Sequence, residues 1–193
     1  MKVLLFCLKG FETMEFSPFV DVMGWARNDY GYDVEVVTCG FQRQVTSTFG
    51  ITVQMDRTID EIWPEDYDAL AVPGGFEEFD FYEEAYSDAF CQLVRRFNAL
   101  HKPIASVCVG ALPLGKSGVL NGRPATTFHL GNGCRQKQLA EFGAQVVNQR
   151  LVIDDNVITS YCPETAPDVA FALLELLLGA EAAKTVRAGM GFS

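Results

Sequence analysis

The sequence has few of the side chains that hold structural metal ions. It contains only two histidines, His101 and His129, and none of its six cysteines lies in a Cys-x-x-Cys pair. Structural zinc takes four cysteine or histidine ligands at short, regular spacing. We therefore expect no bound metal.

Long apolar runs are missing as well. No stretch approaches the roughly 20 apolar residues that a helix needs to cross a bilayer. The opening segment MKVLLFCLKG places six apolar residues between two lysines, too few for the core of a secretory signal peptide. We expect a cytoplasmic location, and in that reducing compartment the cysteines should be thiols.

Positive charge is scarce. The chain has 15 Lys and Arg residues against 25 Asp and Glu residues, a formal net charge of −10. A surface of this sign repels the phosphate backbone of nucleic acids and anionic lipid headgroups. We expect no nucleic acid and no membrane among its partners.

The length and the order of apolar segments indicate one α/β domain. The 193 residues, 49% of them hydrophobic, suffice for a single core spanning residues 1–193. Short runs that are apolar on both faces, as in a covered parallel sheet, occur at residues 3–7, 34–38, 69–73 and 104–107. Helical spacing of apolar residues occurs between them at Phe16, Phe19, Val20, Met23 and Ala26, and at Phe90, Leu93, Val94, Phe97 and Leu100. This alternation predicts a doubly wound, mostly parallel sheet with helices on both faces.

Two segments depart from the alternation. Residues 44–56 contain two extended runs and predict a small β-hairpin appended to the sheet. Residues 144–161 predict three more short strands. Residues 163–179 predict the final helix, which ends at Gly179. The predicted core face of that helix consists of Phe171, Leu174, Leu177 and Leu178.

Cys108 directly follows the apolar run at residues 104–107 and precedes a helix-like segment. Ser106 and Gly110 flank it two positions away, which gives the small-x-nucleophile-x-small pattern of a nucleophile elbow. Unpaired N–H groups at a helix N-terminus favour thiolate over thiol, so we expect a Cys108 pKa below about 7. The alternative is that Cys108 is a small buried hydrophobic residue, as most free cysteines are.

Two acids, Glu12 and Glu15, lie where the first predicted strand gives way to the first helix. Acids in the first turn of a helix often only complement its dipole. Glu15, however, lies between Met14 and Phe16 and could be buried near the same sheet edge as Cys108. A buried carboxyl group keeps its proton and can donate a hydrogen bond to a thiolate, so the two groups would titrate together.

Four segments resemble the PfpI superfamily, the DJ-one/PfpI-like proteins. They are KGFETMEF (9–16), VPGG (72–75), SVCVGALPLGKSGVLNGRPATT (106–127) and ITSYCPETAPDVAFALLELLLG (158–179). The resemblance runs over nearly the whole chain. It implies a flavodoxin-like sheet of the kind also found in class I glutamine amidotransferases, a homodimer, and chemistry without a dissociable cofactor.

The resemblance also implies roles for particular residues. Cys108 corresponds to the reactive cysteine, and Glu15 to the protonated acid that hydrogen-bonds to it. The backbone N–H groups of Gly75 and Val109 correspond to the pair that cradles an oxyanion. Candidate pocket residues or second thiols beside them are Gly74, Cys162 and Glu12.

The chain departs from the family pattern at its histidines. Relatives proposed as intracellular peptidases carry a histidine directly after the cysteine, where this chain has Val109. Another branch has a histidine after a Thr-Thr pair, where this chain has Phe128 and then His129. One residue of offset can turn a side chain to the opposite face, so His129 is either a catalytic base or a loop histidine with a local hydrogen bond.

Other departures lie at the last strand and the hairpin. Cys162 stands where glutamine amidotransferases have histidine, which disfavours glutamine hydrolysis. It either resolves an oxidised Cys108 sulfur or is a packed, helix-capping thiol. Tyr161 and Phe49 occupy neighbourhoods that supply arginines in other branches, which predicts a more aromatic and less cationic pocket. The acidic run 76–88 lines that pocket or, as we expect, forms a solvated face.

Three functions remain open from the sequence. The leading hypothesis is a cysteine-dependent enzyme acting on a small electrophilic carbonyl or isonitrile-type substrate, in the manner of a glyoxalase, deglycase or hydratase. The first alternative is a redox sensor or stress-response protein that uses oxidation of Cys108. The second is an intracellular cysteine peptidase or amidase.

Overall fold

A seven-stranded sheet forms the centre of the fold. In this computed structural model, which describes residues 1–192, the strand order is β10-β11-β7-β6-β1-β2-β5. The strands are β1 Lys2–Phe6, β2 Glu35–Gly40, β3 Gln44–Thr46, β4 Thr52–Gln54, β5 Arg57–Thr58, β6 Ala69–Val72, β7 Ile104–Ser106, β8 Pro124–Ala125, β9 Gln145–Val146, β10 Leu151–Asp154 and β11 Val157–Ser160. Neighbouring strands of the seven-stranded sheet pair in parallel, except β10 and β11, which are antiparallel.

Helices cover both faces of this sheet. They are α1 Thr13–Asn28, α2 Phe81–Ala85, α3 Asp88–Ala99, α4 Ala111–Lys116, α5 Cys134–Glu141, α6 Ala166–Leu178 and α7 Ala180–Gly189. Helices α1, α6 and α7 pack on one another, whereas α3 and α4 form a separate group, and both groups contact β7. The predicted α/β class with a mostly parallel sheet is confirmed. Within residues 1–192, no helix is both long and apolar enough to cross a membrane.

The central strands are buried on both faces, as their uninterrupted apolar sequences predict. All four residues of β6 are fully buried, and so are residues 3–6 of β1. A parallel strand that helices cover on both faces needs apolar side chains at successive positions. Its sequence therefore does not alternate between apolar and polar residues. The four predicted strands therefore appear within two residues of their expected bounds.

The buried stripes of α1 and α3 differ from the predicted ones at two positions. Val20 and Leu100 are each 37% exposed. In α1 the core face runs through Glu15, Phe19, Val22, Met23 and Ala26. Val20 lies about 100° around the helix from Phe19 and so leaves that stripe. Leu100 follows the last residue of α3, where the backbone no longer keeps it on the core face.

Three peripheral features refine the sequence-based prediction. The hairpin of β3 and β4 is present, but it forms its own two-stranded sheet. The three strands predicted in residues 144–161 are present, and β9 pairs with β8 outside the main sheet. The prediction of α6 as the final helix is wrong. Gly179, at φ +89°, turns the chain into α7, which buries Ala182, Ala183 and Val186.

We expect two valines of α1 to differ in their contribution to stability. Val22 is 1% exposed and Val20 is 37% exposed. Val22→Ala should lower the free energy of unfolding by about 2 kcal/mol, because it removes two buried methyl groups and leaves a cavity. Val20→Ala, its matched control, should change it by less than about 0.5 kcal/mol. Urea unfolding measures both, and equal effects would contradict the assigned core face.

Candidate functional site

The candidate site lies at one edge of the sheet, beyond the carboxyl ends of its parallel strands. Gly74 follows β6, Cys108 follows β7, and Cys162 follows β11. Glu15 enters from the first turn of α1, which follows β1. Parallel strands bring the segments that follow them to the same edge, which is where ligands bind in open α/β sheets.

Cys108 occupies a strained turn between β7 and α4. Its φ is +56°, in the left-handed region that side chains other than glycine rarely adopt. A 3-10 turn, Cys108–Gly110, connects the strand to α4. Position 110 must be glycine, because a Cβ there would lie 2.6 Å from the Val72 carbonyl oxygen. The small flanking residue in the sequence pattern therefore has a steric reason.

The Glu15 side chain is fully buried against this turn. Its Oε2 accepts a hydrogen bond of 2.5 Å from the Gly74 N–H. Its Oε1 accepts no hydrogen bond within residues 1–192, and the Cys108 thiol lies beside the carboxyl group and affects its pKa. A Cβ at Gly74 would lie 2.8 Å from Oε2, so only glycine permits this approach. The structure thus brings Glu15, Gly74 and Cys108 together.

The environment of Glu15 favours its neutral form. Burial raises the pKa of this carboxyl group to about 8, and the negative charge of Glu12 adds to the effect. The hydrogen bonds from Gly74 and Cys108 oppose the shift without cancelling it. At neutral pH Glu15 therefore keeps its proton.

The structure shifts the pKa of Cys108 in the opposite direction from the one expected from the sequence. Burial raises the pKa of this thiol well above its ordinary value, and the carboxyl group of Glu15 raises it further. The hydrogen bond from the Val109 N–H acts in the opposite direction but is a smaller effect. The segment that follows Cys108 is only a 3-10 turn and a six-residue helix, so little dipole is available to stabilise a thiolate. The resting pair is a neutral thiol beside a neutral acid.

Gly75 and Val109, whose backbone N–H groups are the expected oxyanion donors, lie at the same cavity as Cys108. Gly75 and Val109 both line it, and the Val109 N–H lies against the Cys108 sulfur. Within residues 1–192, the Gly75 N–H donates no hydrogen bond, although its neighbours Glu12 and Phe76 donate to Gly74 and Gly10. This geometry suits an oxyanion that forms on a carbon attached to the sulfur.

The cavity above Cys108 has a volume of about 150 Å³. Its aromatic side chains are Phe76, Tyr82 and Phe128, and its charged ones are Glu12, Glu77, Glu78 and Arg135. Residues 76–78 thus reach the cavity, although we predicted a solvated face for this run. Arg135, which was not among the predicted site residues, donates a hydrogen bond of 2.7 Å to Glu77 and lies 5.0 Å from the Tyr82 ring centre. Its only sequence signal is its position in the first turn of a helix after the Gly-Asn-Gly loop.

Tyr161 and Phe49, which we expected in the pocket, lie outside it. The Tyr161 ring stacks on His129 with ring centres 3.9 Å apart. Phe49 is 69% exposed near the tip of the hairpin, 6.1 Å from the Phe76 ring centre. The cavity is aromatic, as predicted, but through Phe76, Tyr82 and Phe128, and it does contain a cation.

His129 contacts Cys162 rather than Cys108, so of the two roles left open for it, that of a base for Cys108 receives no support from its contacts. Its Nδ1 lies 3.5 Å from the Cys162 sulfur. Cys108 instead has Glu15 and the Val109 N–H as its hydrogen-bonding neighbours. The single-residue offset after the Thr-Thr pair therefore places the imidazole beside the second thiol.

In the part of the chain that the structure describes, no group of three His, Cys, Asp or Glu side chains could hold a metal ion.

The buried acid predicts a characteristic pH dependence of stability. The folded state holds the Glu15 proton up to about pH 8, whereas an unfolded carboxyl group releases it near pH 4.5. Between these values the unfolded state binds fewer protons, so this group lowers the free energy of unfolding as pH rises, by about 1.4 kcal/mol per pH unit. Glu15→Gln removes that slope. The variant should therefore gain stability relative to the native protein between about pH 5 and pH 8.

Urea unfolding at several pH values measures this difference. Near pH 4 both side chains are neutral, so that point is the internal control for the effect of replacing acid by amide. A difference that does not change with pH would contradict a buried, proton-bearing Glu15.

Comparison with known proteins agrees with this fold and site. The chain matches the sequence profile of the DJ-1/PfpI family over residues 1–176. It is 31% identical over 167 residues to a deglycase of Pyrococcus horikoshii, covering 84% of this chain and 91% of the relative. It is also 31% identical over 167 residues to a deglycase of Thermococcus kodakarensis, with the same coverage.

Solved structures support the same assignment. The fold matches Drosophila melanogaster DJ-1beta with a TM-score of 0.86 and 25% identity, covering 100% of this chain and 98% of the other. This neighbour has the flavodoxin-like fold that the resemblance implied. The profile match, the relatives and the fold agree, and the chain belongs to the DJ-1/PfpI family.

Proposed function

We propose that Cys108 adds to the carbonyl carbon of a small, electrophilic substrate such as a 2-oxoaldehyde or a carbonyl adduct derived from one. The observation that carries the proposal is that Cys108, Gly75 and Val109 line one cavity of about 150 Å³, with the Val109 N–H against the Cys108 sulfur. A cavity of this size suits a small molecule rather than a folded protein segment. The two deglycase relatives support carbonyl chemistry over other uses of the thiol.

The first step is addition of the thiol across the carbonyl bond. The sulfur forms a bond to carbon, the carbonyl electron pair moves to oxygen, and the thiol proton ends on that oxygen. Negative charge develops on the oxygen during the attack, where the Gly75 and Val109 N–H groups can stabilise it. The product is a hemithioacetal. Because the resting thiol is neutral, the Glu15–Cys108 pair must release or transfer a proton as the bond forms.

Glu12 is the carboxyl group best placed to move a proton in the next step. It lines the cavity, and its side chain makes no hydrogen bond within residues 1–192. Partial burial raises its pKa, which brings it closer to neutral pH. For a 2-oxoaldehyde, Glu12 would take the proton from the hemithioacetal carbon and return it to the adjacent carbon. The hydroxyl proton of the hemithioacetal moves to the adjacent carbonyl oxygen, which leaves a thioester next to a hydroxyl group. Water would then release a 2-hydroxy acid from the thioester.

Peptide or amide hydrolysis and isonitrile chemistry receive less support. A peptidase or amidase would use a cysteine paired with a histidine, and the imidazole of His129 lies beside Cys162 instead. An isonitrile-type substrate would use the same thiol and amides, but the deglycase relatives favour a carbonyl. The homodimer, the cytoplasmic location and the single domain stay predictions.

Alkylation of Cys108 should report its protonation state directly. We expect an apparent pKa above the roughly 8.5 of free cysteine, because burial and the Glu15 carboxyl group both disfavour the thiolate. Glu15→Gln should lower this pKa, since it removes a group that can become negative beside the sulfur. The rate of iodoacetamide labelling at Cys108, followed by mass spectrometry across pH, measures both values. A pKa below 7 that rises in the variant would show that the acid donates its proton to a resting thiolate.

Turnover of methylglyoxal tests the proposed reaction. Cys108→Ala should lower the rate of lactate formation by about 1,000-fold or more, since it removes the nucleophile. Cys91→Ala is the matched control, because Cys91 is a buried thiol of α3 outside the cavity, and its variant should retain the rate. An isonitrile serves as the second substrate. Equal methylglyoxal turnover by the native protein and Cys108→Ala would overturn the proposal.

A further inference from the structure

A second thiol, Cys162, lies beside an imidazole at the same sheet edge as Cys108. Its sulfur is 3.5 Å from Nδ1 of His129. Burial raises the pKa of the Cys162 thiol, and the backbone N–H of His129 opposes that shift. Tyr161 stacks on the imidazole and holds its ring in place. A thiol with a proton acceptor in contact has the features of a nucleophile, and the proposed carbonyl reaction does not use it.

Two sets of contacts place Cys162 close to Cys108. Strands β7 and β11 are neighbours, and the Ser160 hydroxyl bonds to the Ser106 carbonyl oxygen at 3.5 Å. Each cysteine follows its bonded serine by two residues. Neighbouring strands lie about 4.8 Å apart, and a disulfide needs Cα atoms within about 7 Å. Cys108 and Cys162 therefore follow adjacent strands at the same edge of the sheet, close enough for the Cys162 thiol to raise the pKa of the Cys108 thiol.

Residues 126–129 run between the backbone of Cys108 and the side chain of Cys162. The Thr127 hydroxyl donates a hydrogen bond of 2.8 Å to the Cys108 carbonyl oxygen. His129, two residues later, contacts Cys162. Two residues of extended chain span about 7 Å at most. The anchoring of Thr126 to Thr159 of β11 at 3.0 Å fixes this segment between the two strand ends.

The remaining cysteines lack this arrangement. Cys7 and Cys39 are fully buried, and Cys91 is 4% exposed in α3. Cys134 is exposed at the start of α5, where it is the thiol that solvent reaches most easily. Cys108 and Cys162 combine slight exposure, of 7% and 9%, with a common position at the site.

We propose that a hydroperoxide converts Cys108 and Cys162 into a reversible disulfide, with His129 as the base that activates Cys162. In the first step the Cys108 sulfur attacks one peroxide oxygen, the O–O bond breaks, and the second oxygen leaves as alcohol or water with the thiol proton. Cys108 becomes a sulfenic acid. In the second step Cys162 gives its proton to Nδ1 of His129, and its sulfur attacks the Cys108 sulfur. The S–O bond breaks, and hydroxide leaves as water with the proton from His129.

The balance is a two-electron oxidation of two thiols. Two thiols and one hydroperoxide give one disulfide, one alcohol or water from the peroxide, and one water from the sulfenic acid. A dithiol reductant restores both thiols. Without Cys162, the sulfenic acid meets further peroxide and becomes sulfinic acid, which dithiols do not reduce. The inference goes beyond the proposed carbonyl reaction and does not depend on it.

Peptide mapping of the full chain after mild hydrogen peroxide treatment tests the proposal. Free thiols are blocked with N-ethylmaleimide in denaturant before digestion. The native protein should yield one linked pair of peptides, containing Cys108 and Cys162, which dithiothreitol separates. Cys162→Ser should yield sulfinic acid at Cys108 in place of the link. Cys134→Ser, which removes the exposed thiol, is the matched control and should form the link as the native protein does.

His129→Asn tests the role of the imidazole. It should slow disulfide formation by about tenfold or more, as expected for loss of a general base, while Cys108 still becomes a sulfenic acid. Dimedone trapping of that sulfenic acid supplies the second readout. The proposal is overturned if native protein accumulates sulfinic acid at Cys108 with no link to Cys162, or if Cys108 links to another cysteine. Because no measurement here involves carbonyl turnover, failure of the carbonyl reaction would leave these outcomes unchanged.

Discussion

The burial of the Glu15 carboxyl group is the constraint on which the rest of the site depends. An ionised carboxylate without a counter-ion in this position would lose its hydration and gain only one N–H bond, from Gly74. The fold therefore tolerates Glu15 only as a neutral acid, and a neutral acid needs a neighbour for its free oxygen. That neighbour is the Cys108 thiol. The position of the acid thus determines where the sulfur lies, why residue 74 is glycine, and which protonation states the pair can adopt.

The magnitudes explain why the pKa of Cys108 differs from the sequence-based expectation. A helix N-terminus stabilises a nearby negative charge by about 0.3–1 kcal/mol. Burial can move a pKa by roughly 3–5 pH units, and each unit corresponds to about 1.4 kcal/mol. The sequence pattern around Cys108 indicates a turn and a helix start, but it does not reveal that this residue is only 7% exposed. Burial, the larger of the two effects on the pKa, depends on tertiary packing and cannot be predicted from this local pattern.

The parts of the fold that sequence predicts well are those with local signals. Apolar runs on both faces specify β1, β6 and β7, and the small residues around Cys108 specify the sharp turn after β7. The resemblance, rather than periodicity, supplied the roles of Gly75 and Val109. Contacts between segments far apart in the sequence were not predictable in this way. Arg135 meets Glu77 across 58 residues, and His129 meets Cys162 across 33, so no local pattern encodes either contact.

Cysteine at position 162, in place of the histidine of glutamine amidotransferases, changes the chemistry that this edge of the sheet allows. An imidazole at the end of β11 could accept a proton from Cys108, but it could not form a bond that stores an oxidation. A thiol there can form such a bond, and the one-residue offset of His129 gives that thiol its own proton acceptor. The carbonyl reaction needs Cys108 as a free thiol, whereas a link to Cys162 would occupy its sulfur. Both proposed chemistries therefore compete for one atom, and under oxidant the disulfide would halt carbonyl turnover while preserving Cys108 from irreversible oxidation.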